Sequence, residues 1–110
     1  MLKFIFAFFM LIHGIIHVMG FAKANNYGNI TQLTKDISKP MGGLWLLTAI
    51  LFVAAIILFL RENDKWWIVG IIAAILSQAL IFTVWQDAKF GTIANIIILI
   101  PALFNTIIRL

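Results

Sequence analysis

The amino-acid sequence predicts an all-α membrane protein: an antiparallel bundle of four transmembrane helices, with a short amphipathic interfacial helix in its first loop. Of the 110 residues, 64% are hydrophobic and 11% are charged, and the mean hydropathy is +1.10. A soluble domain of this length exposes too much surface to hide so many apolar side chains. The charged residues fall in short stretches that separate four apolar runs, near residues 2–21, 41–60, 66–86 and 91–108.

Each apolar run approaches the roughly 20 residues that a helix needs to cross a hydrocarbon core of about 30 Å. The first run also resembles a signal peptide, with Lys3 ahead of it and Ala22-Lys23-Ala24 after it. Its apolar stretch of about 18 residues is longer than a usual signal core. We therefore expect a retained helix, and we treat residues 1–110 as a single membrane domain.

The first loop, residues 22–40, is the only long connection between the apolar runs. Its apolar side chains fall at helical spacing: Ile30, Leu33 and Ile37. Asn29 is suited to cap a helix and Pro40 to end this run. The pattern predicts an interfacial helix over residues 29–38, with an irregular polar loop as the alternative.

The other two loops are short, which makes the second, third and fourth helices antiparallel neighbours. Several aromatic residues lie near the predicted membrane boundaries, as expected of an aromatic belt: Tyr27, Trp45, Trp66, Trp67 and Trp85. The third helix carries a face of small residues that favours close helix packing: Gly70, Ala73, Ala74 and Ser77.

The net charge of +4 does not indicate a nucleic-acid partner, because the eight Lys and Arg residues are spread over every membrane boundary and form no stripe. Four of them fall on each side of the predicted bundle, so the positive-inside rule gives no orientation. We expect the inner membrane and a cytoplasmic N-terminus, with insertion in both orientations as the alternative. The chain has no cysteine, which excludes disulfides and thiolate metal sites.

Two histidines, His13 and His17, lie in the middle of the first apolar run, and no other residue between 4 and 21 is ionisable. An imidazole at bilayer depth costs free energy unless it is paired or hydrated, so it indicates a functional site by default. Their spacing places both rings on one helix face, one turn apart. The alternative is that they serve only as hydrogen-bond partners between helices.

Other polar side chains are predicted to meet the histidines in the same half of the membrane. At about 1.5 Å per residue, Gln78 reaches the depth of His13, and Asn95 reaches the depth of His17. Asp87, Lys89 and Trp85 fall at the rim, where Asp87 and Lys89 either join the site or pair with each other. The predicted ligand-binding residues are therefore His13, His17, Gln78, Trp85, Asp87, Lys89 and Asn95.

Two segments carry a resemblance, HGIIHVMGFAKA at residues 13–24 and WQDAKFGTIANIIIL at residues 85–99. They resemble elements of small, largely uncharacterised bacterial membrane proteins with four helices, and of membrane regions that precede soluble domains in longer bacterial chains. In size and helix count the chain is more loosely similar to the DoxX-like proteins. That likeness implies a membrane accessory or redox-linked role.

The leading functional hypothesis is a non-enzymatic membrane module that binds a small or lipidic ligand, or a partner protein, through a pocket at the histidine pair. The alternative is a metal or haem site, with His13, His17 and Asp87 as metal ligands, although two histidines on one turn cannot bracket one haem. A third hypothesis is a proton-coupled exporter, similar in length to the small multidrug resistance transporters. Their embedded glutamate has no counterpart here before Asp36.

Several questions stay open at the level of sequence. The cofactor is unknown, and the assembly could be a homo-oligomer or part of a larger membrane complex. No nucleophile paired with a base, no phosphate-binding glycine loop and no paired carboxylates are visible, so an enzyme is the least supported class.

Overall fold

The computed structural model describes residues 2–28, 30, 33 and 35–109, with side chains as far as Phe104. Within these residues the only regular secondary structure is helix, which confirms the predicted all-α class. The helices are α1 (Leu2–Ala24), α2 (Lys39–Leu60), α3 (Trp66–Thr83), α4 (Trp85–Ala88) and α5 (Gly91–Arg109). The first three are long and apolar enough to cross a membrane, and α5 is apolar over Gly91–Phe104.

The predicted interfacial helix over residues 29–38 is wrong wherever the structure describes this loop. Ile30, Leu33 and residues 35–38 are not helical, while Asn29 lies outside the described residues. Leu33 is only 7% exposed and packs with the core instead of lying at the interface. A side chain buried inside the bundle is removed from water more completely than one at a membrane surface, so packing overrides the helical spacing.

The third predicted span, residues 66–86, is too long by three residues because α3 ends at Thr83. The Thr83 hydroxyl donates to the Leu80 carbonyl oxygen at 2.6 Å, and Val84 leaves the helix with φ −131° and ψ 42°. Two consecutive β-branched residues and a hydroxyl that competes for the backbone both weaken a helix here. The break turns Val84, 4% exposed, into the core beneath the first loop.

Glycines let α1 and α2 pack closely along their length. A Cβ atom on Gly14 would lie 2.9 Å from Cβ of Phe52, and a Cβ on Gly20 would overlap the Trp45 ring. At the end of α1, a Cβ on Gly42 would overlap the Ala24 side chain. The absence of side chains at these three positions therefore sets the distance between the two helices.

Two clusters of apolar side chains lie toward opposite ends of the folded chain. One is built around the buried residues Ala7, Met10, Phe52, Ile56, Ala73 and Ile98. The other is built around Leu33, Trp45, Leu80 and Val84. The buried polar side chains of α1, α3 and α5 lie along the same helices as these clusters, so they are enclosed by apolar packing.

The predicted aromatic belt is wrong for two of its members. Trp45 is 4% exposed and Trp66 is 8% exposed, so both belong to the interior. Trp66 packs edge-on against Phe6 and Phe59, with ring centroids 5.9 and 5.0 Å away. Position near a helix end indicates a boundary residue only when the side chain faces outward, and the sequence does not specify that direction here.

Candidate functional site

Both histidines of α1 face the interior. His13 is 6% exposed and His17 is 2% exposed, and their rings lie edge to face with centroids 4.8 Å apart. The Phe52 ring of α2 closes the wall behind them, with its centroid 5.2 Å from that of His13 and 5.4 Å from that of His17. The pair is therefore held away from the lipid-facing side of α1.

Asn95 of α5 joins three helices through one buried amide. Its Oδ1 lies 2.8 Å from Nε2 of His13 on α1. Its Nδ2 donates to Ser77 Oγ at 3.1 Å and to Gln78 Oε1 at 3.0 Å, both on α3. Gln78 in turn donates from Nε2 to the Thr92 hydroxyl at 2.9 Å. We call His13, His17, Ser77, Gln78, Thr92 and Asn95 the polar network.

The partners within the polar network determine which atom donates in each hydrogen bond of the two histidines. His17 Nδ1 lies 2.7 Å from the carbonyl oxygen of His13, which can only accept, so His17 carries its hydrogen on Nδ1. In the neutral imidazole, the form that a low-dielectric interior favours, its Nε2 then accepts from the Ser77 hydroxyl at 2.7 Å. Both amide hydrogens of Asn95 are used on α3, so its Oδ1 accepts and His13 donates from Nε2. The two neutral imidazoles are therefore opposite tautomers.

This assignment leaves a single imidazole nitrogen outside the polar network. His13 Nδ1 is a lone-pair acceptor with no hydrogen-bond partner among the described residues. Every other imidazole nitrogen has a defined bond. The ring of His13 is thus fixed by Asn95 on one side and retains an acceptor on the other.

A cavity of about 340 Å³ lies beside His13. We call it the His13 cavity. Among the residues that the structure describes, its polar lining residues are His13, His17 and Asp87. Its apolar lining residues are Ile16, Met19, Leu33, Trp45, Ile81, Ala88, Phe90 and Gly91. The wall thus combines α1, the first loop, α2, α3, α4 and the start of α5.

Trp45 contributes a second polar atom without a protein partner. Its Nε1 is a fully buried atom, and no other fully buried side-chain nitrogen or oxygen in the described part of the chain lacks a hydrogen bond. A buried donor without an acceptor costs free energy, of the order of 1–3 kcal/mol. Trp45 lines the His13 cavity and packs against His17 with ring centroids 5.5 Å apart.

The predicted depths are displaced by about one helical turn. Asn95 was expected level with His17 but hydrogen-bonds to His13, and Ser77 is the residue that meets His17. The helix α5 begins at Gly91, as predicted, but after the break at Val84 and the short α4 this residue already lies beside His13, with a Cβ atom there 3.7 Å from His13 Cε1. Counting residues from the predicted helix ends could not include this break.

The predicted rim residues separate into two groups. Asp87 is half-buried and lines the His13 cavity. Trp85 is 44% exposed and stacks on Phe82 with ring centroids 5.6 Å apart, outside the cavity wall. Lys89 is exposed, with its Nζ 5.6 Å from the centroid of the Phe90 ring. The structure therefore brings His13, His17, Gln78, Asn95 and Asp87 toward one region and leaves Trp85 and Lys89 outside it.

Sequence reasoning missed three contributors to this region. Ser77 was assigned to helix packing alone, yet its hydroxyl bridges His17 and Asn95. Thr92 was not considered, although it precedes Asn95 by three residues on α5, and its hydroxyl accepts a hydrogen bond from Gln78. Trp45 was assigned to a membrane boundary. The one available signal for Ser77 was that it precedes Gln78, which was already assigned to the site. When Gln78 is buried near the histidines, its neighbour Ser77 also lies close to them.

The geometry does not favour the metal hypothesis. No group of three His, Asp or Glu side chains is close enough to hold a metal ion in the described part of the chain. Three of the four imidazole nitrogens of His13 and His17 are already committed to hydrogen bonds. A metal bound by both histidines would have to displace one of the two hydrogen bonds of the His17 ring.

Comparisons with known proteins add no relative: no protein-family model, no curated protein and no solved structure matches this chain.

Proposed function

We propose that this chain is an integral inner-membrane protein that binds a small or lipidic ligand in the His13 cavity and acts as a non-enzymatic accessory module. In this proposal α1, α2, α3 and α5 cross the membrane as an antiparallel four-helix bundle with the N-terminus in the cytoplasm. The long axis of 42 Å supports this arrangement, because a bilayer with its headgroups is about 40–45 Å thick.

The observation that carries the proposal is a mostly apolar cavity beside the His13 ring, whose orientation is fixed by its hydrogen bond to Asn95. Ligand sites are typically concave and mostly apolar, with volumes from about 300 Å³ and a few well-placed polar groups. The His13 cavity has this composition, and its volume is at the small end of that range. The polar network holds the His13 ring before any ligand arrives, which reduces the entropy cost of binding.

A cavity-filling variant tests the proposal. A Cβ atom on Gly91 would lie 2.8 Å from Cδ1 of Ile81 and 3.7 Å from Cε1 of His13, so Gly91→Leu directs a side chain into the cavity. We expect a small molecule to co-purify with the wild-type protein in mild detergent. The amount that co-purifies with Gly91→Leu should be lower by at least about tenfold, which corresponds to a loss of about 1.4 kcal/mol of binding free energy. Mass spectrometry of the extracts measures this.

Gly43→Leu is the matched control, because a Cβ atom on Gly43 has no neighbour within 4 Å. It should retain the ligand at the wild-type level. Circular dichroism of both variants establishes that they are folded. A folded Gly91→Leu protein that retains the same molecule at the wild-type level, or a wild-type protein that yields no bound molecule, contradicts the proposal.

A further inference from the structure

We propose that the His13 cavity takes a neutral amphiphile whose polar end, a hydroxyl or a primary amide, donates a hydrogen bond to His13 Nδ1 and accepts one from Trp45 Nε1. This inference rests on the function proposed above and adds the chemical class of the ligand's polar end. It follows from two ring nitrogens with opposite hydrogen-bonding roles, on two residues that line the same cavity.

His13 supplies a hydrogen-bond acceptor. Its Nε2 donates to Asn95 Oδ1 at 2.8 Å, so in the neutral ring Nδ1 carries a lone pair and no hydrogen. Nδ1 has no partner in the part of the chain that the structure describes, and it is not among the fully buried unpaired atoms there. A ligand beside His13 therefore satisfies this nitrogen only with a hydrogen-bond donor.

Trp45 supplies a hydrogen-bond donor. An indole Nε1 can only donate, and this one is fully buried without an acceptor among the described residues. A buried donor without an acceptor costs free energy, so an acceptor placed against Nε1 recovers that cost. A ligand that accepts a hydrogen bond from Trp45 is therefore bound more tightly than one that does not.

The two nitrogens belong to neighbouring parts of one wall. The His17 ring packs against both residues, with its centroid 4.8 Å from that of His13 and 5.5 Å from that of Trp45. Both nitrogens of His17 are already bonded, and Asp87 already has an interaction within the chain. The described lining therefore leaves one ring acceptor and one ring donor without a partner.

A polar end that matches both nitrogens must donate and accept. A hydroxyl and a primary amide each do both. An ether or a carboxylate only accepts, so it leaves His13 Nδ1 without a partner. An ammonium only donates, so it leaves Trp45 Nε1 without one. The pair of nitrogens thus favours a neutral end of mixed character over either kind of charged end.

The outer part of the cavity suits an apolar chain. The most exposed members of its described lining are Ile16, 50% exposed, and Phe90, 74% exposed. Both side chains are apolar, and apolar surface favours contact with hydrocarbon over water. The chain of the ligand therefore lies against Ile16 and Phe90, with its polar end toward His13 and Trp45.

Four probes of similar length test the polar end: dodecanol, dodecanamide, dodecyl methyl ether and tetradecane. Each is titrated into the protein in nanodiscs while the ¹⁵N resonance of His13 Nδ1 and the indole proton of Trp45 are followed by NMR. We expect the alcohol and the amide to shift both signals. The ether should shift only the indole proton and bind about tenfold more weakly than the alcohol. Tetradecane should shift neither signal and bind most weakly.

A pair of tryptophan substitutions tests the donor with the same chemical change. Trp45→Phe keeps an aromatic ring and removes Nε1, so binding of the alcohol and the ether should fall about tenfold while binding of tetradecane stays the same. Trp85→Phe is the matched control, because Trp85 is 44% exposed and outside the described lining. It should change the binding of no probe. Circular dichroism establishes that both variants are folded.

A pair of isoleucine substitutions on α1 tests where the chain lies. Ile16→Trp fills the outer part of the cavity and should lower dodecanol binding about tenfold. Ile12→Trp, one turn earlier and outside the described lining, should not. Equal effects of the two substitutions overturn the placement of the chain.

The outcomes separate this inference from the proposed function. Equal binding of the ether and the alcohol overturns the bond to His13. An unshifted Trp45 indole proton in the presence of bound alcohol overturns the bond to Trp45, even if Trp45→Phe does not fold. If no probe binds while a molecule still co-purifies, the class of the polar end is wrong and the proposed function stands. If no probe binds and no molecule co-purifies, the proposed function itself is wrong.

Discussion

Replacing Asn95 with leucine is expected to destabilise the protein by about 3 kcal/mol. Asn95 is 1% exposed and its amide bonds to His13, Ser77 and Gln78. Leucine removes these bonds and leaves a buried donor on His13 and a buried acceptor on Gln78, each costing about 1–3 kcal/mol in soluble proteins and less in bilayers. Unfolding by sodium dodecyl sulfate in mixed micelles, followed by circular dichroism, measures the change.

The control for this prediction is Gln86→Leu, which removes an exposed amide on α4. It should change the free energy of unfolding by less than about 0.5 kcal/mol. A double-mutant cycle adds a second check, because Asn95→Leu should cost less in a His13→Phe background than in the wild type. Strict additivity of the two substitutions would show that the His13–Asn95 bond contributes nothing.

Substitution of two neighbouring glycines in α2 should give opposite results. Gly42→Val is expected to destabilise the protein by about 2–3 kcal/mol, because even its Cβ atom would overlap the side chain of Ala24 on α1. Gly43→Val should have little effect, because its Cβ atom meets no neighbour. The same detergent titration measures both variants.

This pair tests the close approach of α1 and α2 with little change in helix propensity, since the same substitution is made at adjacent positions of one helix. Equal losses of stability would indicate that valine itself disfavours the start of α2. If Gly42→Val leaves the free energy of unfolding unchanged, α1 and α2 are farther apart at this end than the contact between Gly42 and Ala24 indicates.

Hydropathy predicts the long helices because each apolar run is bounded by charged or helix-breaking residues. It fails where tertiary packing competes with local pattern. The helical spacing of Ile30, Leu33 and Ile37 indicated a surface helix, but Leu33 is buried in the core. The break at Val84 was equally hidden, because an apolar β-branched residue near a helix end is compatible with either a continuing or an ending helix.

The candidate site was partly predictable because polar residues in an apolar chain are few and must find one another. That argument finds His13, His17, Gln78 and Asn95. It does not give their partners, which depend on helix rotation and on the break before α4. Nor does it find Trp45, whose interior position depends on the missing side chain of Gly20.

The polar network has two physical roles that can be separated. Toward the helices, Asn95 and Ser77 satisfy two imidazole nitrogens and join α1 to α3 and α5. Toward the His13 cavity, the same bonds leave His13 Nδ1 as the ring nitrogen that is available to a ligand. A structural network alone explains the first role, whereas the free acceptor beside a cavity is what supports binding.

The most direct test of this account is the tautomeric state of the two histidines in a lipid bilayer. Solid-state NMR of protein labelled with ¹⁵N-histidine distinguishes ring nitrogens that carry hydrogen from those that do not. We expect hydrogen on Nε2 of His13 and on Nδ1 of His17 at neutral pH, as the hydrogen bonds to Asn95 and to the His13 carbonyl require. Hydrogen on Nδ1 of His13, or the same tautomer for both rings, would contradict the account.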